Sequence, residues 1–141
     1  RYDGTMPNEV FMHIKKVRYS FFAKEFRTKR VKEAYQWYCE QLLHRHVVLP
    51  SGEVTLQTRG NPSGQISTTM DNNMVNVFLQ AFEYAYLHPD YTDDELEANW
   101  TRMDTLVYGD DRLSAYIGLP ANYVERVVVM YSDIFGMWVK P

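Results

Sequence analysis

The sequence predicts an α+β fold. Three observations lead there: several stretches space their apolar residues for one face of a helix, two pairs of short β-prone runs flank polar turns, and no repeat, linker or low-complexity segment intervenes. Pro7 followed by Val10, Phe11, Ile14, Val17 and Phe21 predicts a helix over about 7–23, with proline in the first turn, where its missing N–H would be unpaired anyway. A second helix is expected from Lys29 to His44, carrying Val31, Ala34, Tyr35, Tyr38, Leu42 and Leu43 at helical spacing with basic residues on its other faces. Val47 to Leu49 and Val54 to Leu56, around Pro50-Ser51-Gly52, read as a hairpin. From Ser67 to about Tyr86 the helical pattern returns, and Met70, Met74, Val77, Phe78 and Ala81 form its expected core face. Thr92 and Glu95 make a capping box for a helix ending near Arg102. Thr105 to Tyr108 and Leu113 to Tyr116 flank Gly109-Asp110-Asp111-Arg112, a second hairpin with an acidic tip. Pro120 opens a last helix, closed by Gly136.

At 141 residues the chain suits one globular unit with a sizeable core. Hydrophobic residues make up 45% and charged residues 23%, which argues against disorder. No apolar run approaches the ~20 residues of a membrane span, and no charged-then-apolar leader opens the sequence. Cys39 is the single cysteine, so a disulfide framework and a cysteine zinc cluster are excluded, and a small buried core residue in a reducing compartment such as cytosol is expected. The net charge of −3 hides an asymmetry. Lys15, Lys16, Arg18, Lys24, Arg27, Lys29, Arg30 and Lys32 crowd the first third, whereas Asp90, Asp93, Asp94, Glu95, Glu97, Asp110 and Asp111 come later.

Two stretches carry chemistry. Gly60-Asn61-Pro62-Ser63-Gly64-Gln65 makes a tight loop that feeds a helix on which Thr68 and Asn72, four apart, share a face; a polar stripe of Thr68, Asn72 and Asn76 lies nearly opposite the Met70–Met74–Val77 stripe. Alone, this could be an ordinary capped amphipathic helix, or a helix start that holds a phosphate. Tyr108-Gly109-Asp110-Asp111 sets adjacent carboxylates together, an arrangement that repels itself unless solvent or a cation compensates. Hard divalent cations bind such oxygens together with substrate phosphates.

In combination, Ser63-Gly64-x-x-x-Thr68-x-x-x-Asn72 followed by Tyr108-Gly109-Asp110-Asp111 resembles motifs B and C of the RNA-dependent RNA polymerases of positive-strand RNA viruses. Arg1-Tyr2-Asp3-Gly4-Thr5 is similar to the second half of motif A, and Phe135 to Pro141 to the start of motif D. The wording of Arg1 to Thr5, Gly60 to Gln65 and Gly109 to Leu113 is closest to astrovirus polymerases. The resemblance implies a polymerase palm, with a small antiparallel sheet of motif A and motif C strands packed on helices, and fingers-derived helix and hairpin in about 20–60. It implies two-metal nucleotidyl transfer with Mg²⁺, Mn²⁺ being an alternative. Asp110 would be the main catalytic metal ligand and Asp111 a second. Asp3 and Asn72, supported by Thr68, would read the ribose 2′ hydroxyl, and Ser63 and Gly64 would form a mobile loop beside template and nascent pair. Implied partners are template and nascent RNA, NTPs, the fingers and thumb, and viral replication proteins, in host cytoplasm at membrane-associated replication sites. The motif A metal ligand is expected five places before Asp3 and the motif D lysine just past Pro141, so this segment alone is expected to be inactive. Lys140 is a poor substitute for that lysine.

Rival readings are a reverse transcriptase-like or DNA polymerase, against which the set Asp3, Thr68 and Asn72 speaks, and a noncatalytic RNA-binding module built on the basic run. That run reads more readily as the solvated faces of two helices. A zinc site on Cys39, His44 and His46 is the weakest alternative, since no second cysteine pair is in reach.

Overall fold

The computed structural model describes the backbone of residues 2–139 and the side chains of residues 4–139. In chain order it runs α1 (Tyr2–Thr5), α2 (Asn8–Ser20), a 3₁₀ turn (Lys24–Phe26), α3 (Lys29–Leu43), β1 (Arg45–Val48), β2 (Val54–Gln57), α4 (Thr68–Leu87), α5 (Asp93–Trp100), β3 (Asp104–Tyr108), β4 (Asp111–Ala115) and α6 (Tyr123–Phe135). The fold is α+β, with two two-stranded antiparallel sheets, β1–β2 and β3–β4. The first described element is a helical turn, so the motif A strand is not among the described residues. No described helix is long and apolar enough to cross a membrane. The chain divides into two units, Arg1–Asp71 and Asn72–Pro141.

In the first unit, Met6, Val10, Phe11, Ile14, Cys39 and Leu43 are buried, as the helical spacing of α2 and α3 requires. Helix α2 stops at Ser20 rather than running on to residue 23. The Arg27 guanidinium takes the carbonyls of Ser20 at 2.6 Å and Phe22 at 2.7 Å, satisfying acceptors that the helix end leaves open. Thr28 caps α3, accepting from Val31 N–H at 3.3 Å. Tyr19, Phe22, Tyr35 and Tyr38 form an aromatic cluster between ring centroids 5.3–6.2 Å apart. Burial pushes the Tyr35 phenol up to about 12 and raises the Cys39 thiol as well. Gly52, at φ 88°, turns the chain between β1 and β2, whose register pairs Val48 with Val54 and Arg45 with Gln57.

In the second unit the core is Val75, Leu79, Tyr84 and Leu87 of α4 with Val127, Met130 and Tyr131 of α6 and Met137 beyond it. The α4 face differs from the sequence expectation. Met70 is 58% and Val77 39% exposed, whereas Asp71, Asn76, Gln80 and Glu83 are buried beside Val75 and Leu79. A 3–4 spacing runs equally through 71, 75, 79, 83 and 87, and hydropathy counts its polar members as surface residues. They are buried because each has a partner across the fold. Gln80 Nε2 donates to Ser114 Oγ at 2.8 Å. Glu83 accepts from Arg112 Nη2 at 2.9 and 3.0 Å, from the hydroxyls of Tyr116 at 2.7 Å and Tyr123 at 2.8 Å, and from Tyr131 at 3.4 Å. Burial, reinforced by the Glu83 carboxylate, pushes the Tyr123 phenol up to about 12 and Tyr116 higher still. Burial works against the Arg112 charge, but Glu83 raises its pKa overall.

The capping box forms as expected, Thr92 Oγ1 accepting from Glu95 N–H while Thr92 N–H donates to Glu95 Oε2 at 2.8 Å. The Thr92 amide lowers the Glu95 pKa. Helix α6 begins at Tyr123, after a turn from Pro120, and ends on Gly136 in the left-handed region at φ 58°.

Replacing Glu83 with alanine strands the Arg112 guanidinium, so the chain should lose about 3–5 kcal/mol of unfolding free energy, measured by denaturant titration. The tyrosines carry a pH signature. A phenol whose folded pKa lies above its unfolded value of 10 stabilises the fold fully below pH ~10, and that contribution is lost as pH rises through about 12 for Tyr35 and Tyr123. Alkaline unfolding followed by tyrosinate absorbance should therefore begin above pH ~10 and move to lower pH in Glu83→Ala.

Candidate functional site

The acidic hairpin is tighter than its sequence suggests. Register pairs Leu106 with Leu113, Val107 with Arg112 and Tyr108 with Asp111, leaving a two-residue turn of Gly109 and Asp110. Asp111 is thus the first residue of β4. Gly109 sits at φ 63°, which primed hairpin turns demand of their first central residue; a Cβ there would meet nothing within 4 Å, so glycine is needed for backbone angle rather than room. Alternation along the strands exposes Leu106, Tyr108, Asp111 and Leu113 on one face and turns Thr105, Val107, Arg112 and Ser114 to the half-buried face. Asp110 and Asp111 are both exposed.

Helix α4 holds this turn by its backbone. The Gly109 N–H donates to Asn73 Oδ1 at 2.7 Å, and Asn76 Nδ2 donates to the carbonyls of Gly109 at 3.1 Å and Asp111 at 3.3 Å. The asparagines engage backbone groups of the turn, and both carboxylates are exposed. Arg112 is engaged by the fully buried Glu83 on the other face of its strand, so it is neither an exposed ion pair nor an RNA-facing cation. Two adjacent exposed carboxylates fit Mg²⁺, which is satisfied by one or two protein carboxylates when substrate phosphates and water supply the rest. No group of three or more His, Cys, Asp or Glu side chains forms a closed cage among the described residues.

The first unit contains the other candidates. Ser63 and Gly64 are exposed in the loop before α4, with Gly64 at φ 83°. Thr68 is turned back to the loop, its hydroxyl donating to the Pro62 carbonyl at 2.5 Å. An open cleft of about 570 Å³ is lined by Gly4, Thr5, Arg45, Val47, Gln57, Pro62 and Ser63. The same unit buries an ion cluster that charge patterning did not anticipate. Lys15 is 1% exposed and pairs with Asp71 Oδ2 at 2.6 Å, while Arg18 pairs with Asp71 Oδ1 at 2.6 Å. Asp71 raises the Arg18 pKa despite the opposing effect of burial. One member of the basic run, Lys15, therefore belongs to the interior, and a second, Arg18, is half-buried against the same carboxylate.

Asn72, four residues on from Thr68, is half-buried and begins the second unit. The Asp3 side chain and Lys140 lie outside the described residues. Sequence reasoning singled out the aspartates and the loop, but not Asn73, Asp71 and Glu83 or the pairing of Lys15. The available signal was the polar row at 3–4 spacing, Asn73, Asn76, Gln80 and Glu83, preceded by Asp71 and Asn72, inside an otherwise mostly apolar helix.

The family model for viral RNA-dependent RNA polymerase matches residues 1–141. The chain is 62% identical, over its whole length, to non-structural polyprotein 1AB of mink astrovirus 1, and 60% identical to that of ovine astrovirus 1, covering 10% of each. It is 43% identical to the polyprotein 1AB of turkey astrovirus 2, across 99% of this chain and 9% of that protein. The chain thus spans about a tenth of the length of the relatives it matches. With motifs in family order and a match along its whole length, the chain belongs to the viral RNA-dependent RNA polymerases, and within them it is astrovirus-like.

Proposed function

We propose that this chain is the central palm segment, residues 1–141 with fingers-derived structure in about 20–60, of a polymerase that extends RNA on an RNA template using ribonucleoside triphosphates. The observation that carries the reading is the paired carboxylate of Asp110 and Asp111, exposed on a turn that Asn73 and Asn76 clamp by its backbone. Asp110 is the main metal ligand and Asp111 the second, for Mg²⁺ or Mn²⁺. When bound, the divalent ions lower the barrier by activating the primer 3′ hydroxyl and neutralising charge on the α-phosphate and leaving pyrophosphate.

The chain's own residues supply position and selection. Asp3 and Asn72, with Thr68 in support, hydrogen-bond the 2′ hydroxyl. A polar set left unpaired by a deoxynucleotide discriminates strongly, because the unmet groups have lost their water. Ser63 and Gly64 lie beside template and nascent pair. The segment works with fingers, thumb and viral replication proteins, at membrane-associated sites in host cytoplasm, and is inactive on its own; similarity to non-structural polyproteins supports that setting. The noncatalytic RNA-binding alternative loses support because Lys15 and Arg18, counted in its basic run, are engaged by Asp71.

In the complete polymerase, Asp110→Ala should reduce nucleotide incorporation to background while the melting temperature stays put; full turnover would remove the metal role. Asn72→Ala should cut the preference for rNTP over dNTP by at least about tenfold, ~1.4 kcal/mol. An unchanged ratio in competitive incorporation would end the ribose assignment. Asn73→Ala should speed hydrogen exchange of the Gly109 amide about tenfold, the loss expected for one hydrogen bond.

A further inference from the structure

The Ser63–Gly64 segment is exposed between two anchored ends. Ahead of it, Asn61 is fully buried and its Oδ1 accepts from Gln65 Nε2 at 3.3 Å. Behind it, Gln65 Oε1 accepts from Ser67 N–H at 2.9 Å and from the Tyr38 hydroxyl at 3.2 Å. Ser67 donates its hydroxyl proton to Asp71 Oδ2 at 2.8 Å and accepts from Gln65 Nε2 at 3.0 Å and Lys15 Nζ at 3.2 Å. Gln65 Nε2 also reaches Asp71 Oδ2, at 3.3 Å. The bonds converge on one carboxylate, 0% exposed, whose Oδ2 also takes Lys15 while Arg18 holds Oδ1. Between the anchors Gly64 turns at φ 83°, and a Cβ there would have nothing within 4 Å.

A buried ion pair is a poor stability device, because desolvation of two charges offsets most of their attraction and apolar residues of similar volume do as well. What it does supply is direction: a carboxylate fixed by two cations presents its remaining lone pairs at defined angles. Here the oxygen that Lys15 holds, Oδ2, is the one that takes the loop-side donors Ser67 Oγ and Gln65 Nε2. We infer that Asp71, held by Lys15 and Arg18, is a positioning residue of the polymerase, which through Ser67 and Gln65 sets the conformation in which Ser63 and Gly64 meet the templated nucleotide. The inference rests on the role proposed above for Ser63 and Gly64.

The test uses the complete polymerase, with KM for the templated NTP, kcat and melting temperature measured on a primed RNA template. Ser63→Ala serves as the reference for the loop. Lys15→Met combined with Asp71→Leu replaces the ion pair by apolar residues of like volume, and Gln65→Ala removes only the bridge. Both should raise KM about tenfold with kcat within about twofold and little change in melting temperature. Gln65→Ala and Ser63→Ala together should cost less than the sum of each, since they act through one segment. If Ser63→Ala raises KM but the other variants do not, the positioning role is wrong and the loop reading stands. Silence of Ser63→Ala removes the loop reading and this inference with it. Melting temperature and kcat falling together at constant KM would mark the cluster as merely structural and overturn the inference. Should the double variant fail to fold, Gln65→Ala decides alone.

Discussion

A helix that buries polar side chains must find a partner for the groups it takes out of water, and α4 is governed by that requirement. An unpaired buried amide or carboxylate costs several kcal/mol, more than most apolar contacts return. The facing elements therefore have to present the right partners at the right places: Lys15 and Arg18 donate to Asp71, hairpin carbonyls accept from Asn76, Ser114 Oγ accepts from Gln80, and Arg112 with three tyrosines donates to Glu83. Apolar packing tolerates small shifts in register. Hydrogen bonds of 2.6–3.3 Å do not.

Within each unit the consequence is a short flexible-looking feature fixed by a stiff one. Residues of the Ser63–Gly64 loop lie between side chains tied to Asp71. The Gly109–Asp110 turn is tied to Asn73 and Asn76. In both cases the residues with assigned chemistry are exposed, and the residues that hold them are not. Placing functional groups on loops and their supports on helices is the usual way to combine reach with precision.

What could be read from the sequence was what is local in sequence. The bounds of α3, the capping box at Thr92 and Glu95, both hairpins and the helix stop at Gly136 all follow from signals within a few residues, and all are present. The polymerase motifs were legible for the same reason, being short and ordered. The buried face of α4 was not, because it is decided by partners far along the chain: Lys15 lies 56 residues from Asp71, and Arg112 lies 29 from Glu83. A basic run looks solvated until its carboxylate is known. Arg112 had no assigned role for the same reason, and the turn shortened by two residues because Tyr108 pairs with Asp111, which only the register reveals.

Asn73 and Asn76 grip the acidic turn by its backbone. Asn73 and Asn76 bind the N–H and carbonyl of Gly109 and the carbonyl of Asp111, groups that every residue type possesses. Scaffold and reactivity are thereby separable. Position 109 favours glycine by its backbone angle, whereas the bonds from Asn73 and Asn76 use no side-chain atom at 110 or 111. A lineage could exchange the chemical groups at these two positions while inheriting the same backbone bonds from Asn73 and Asn76.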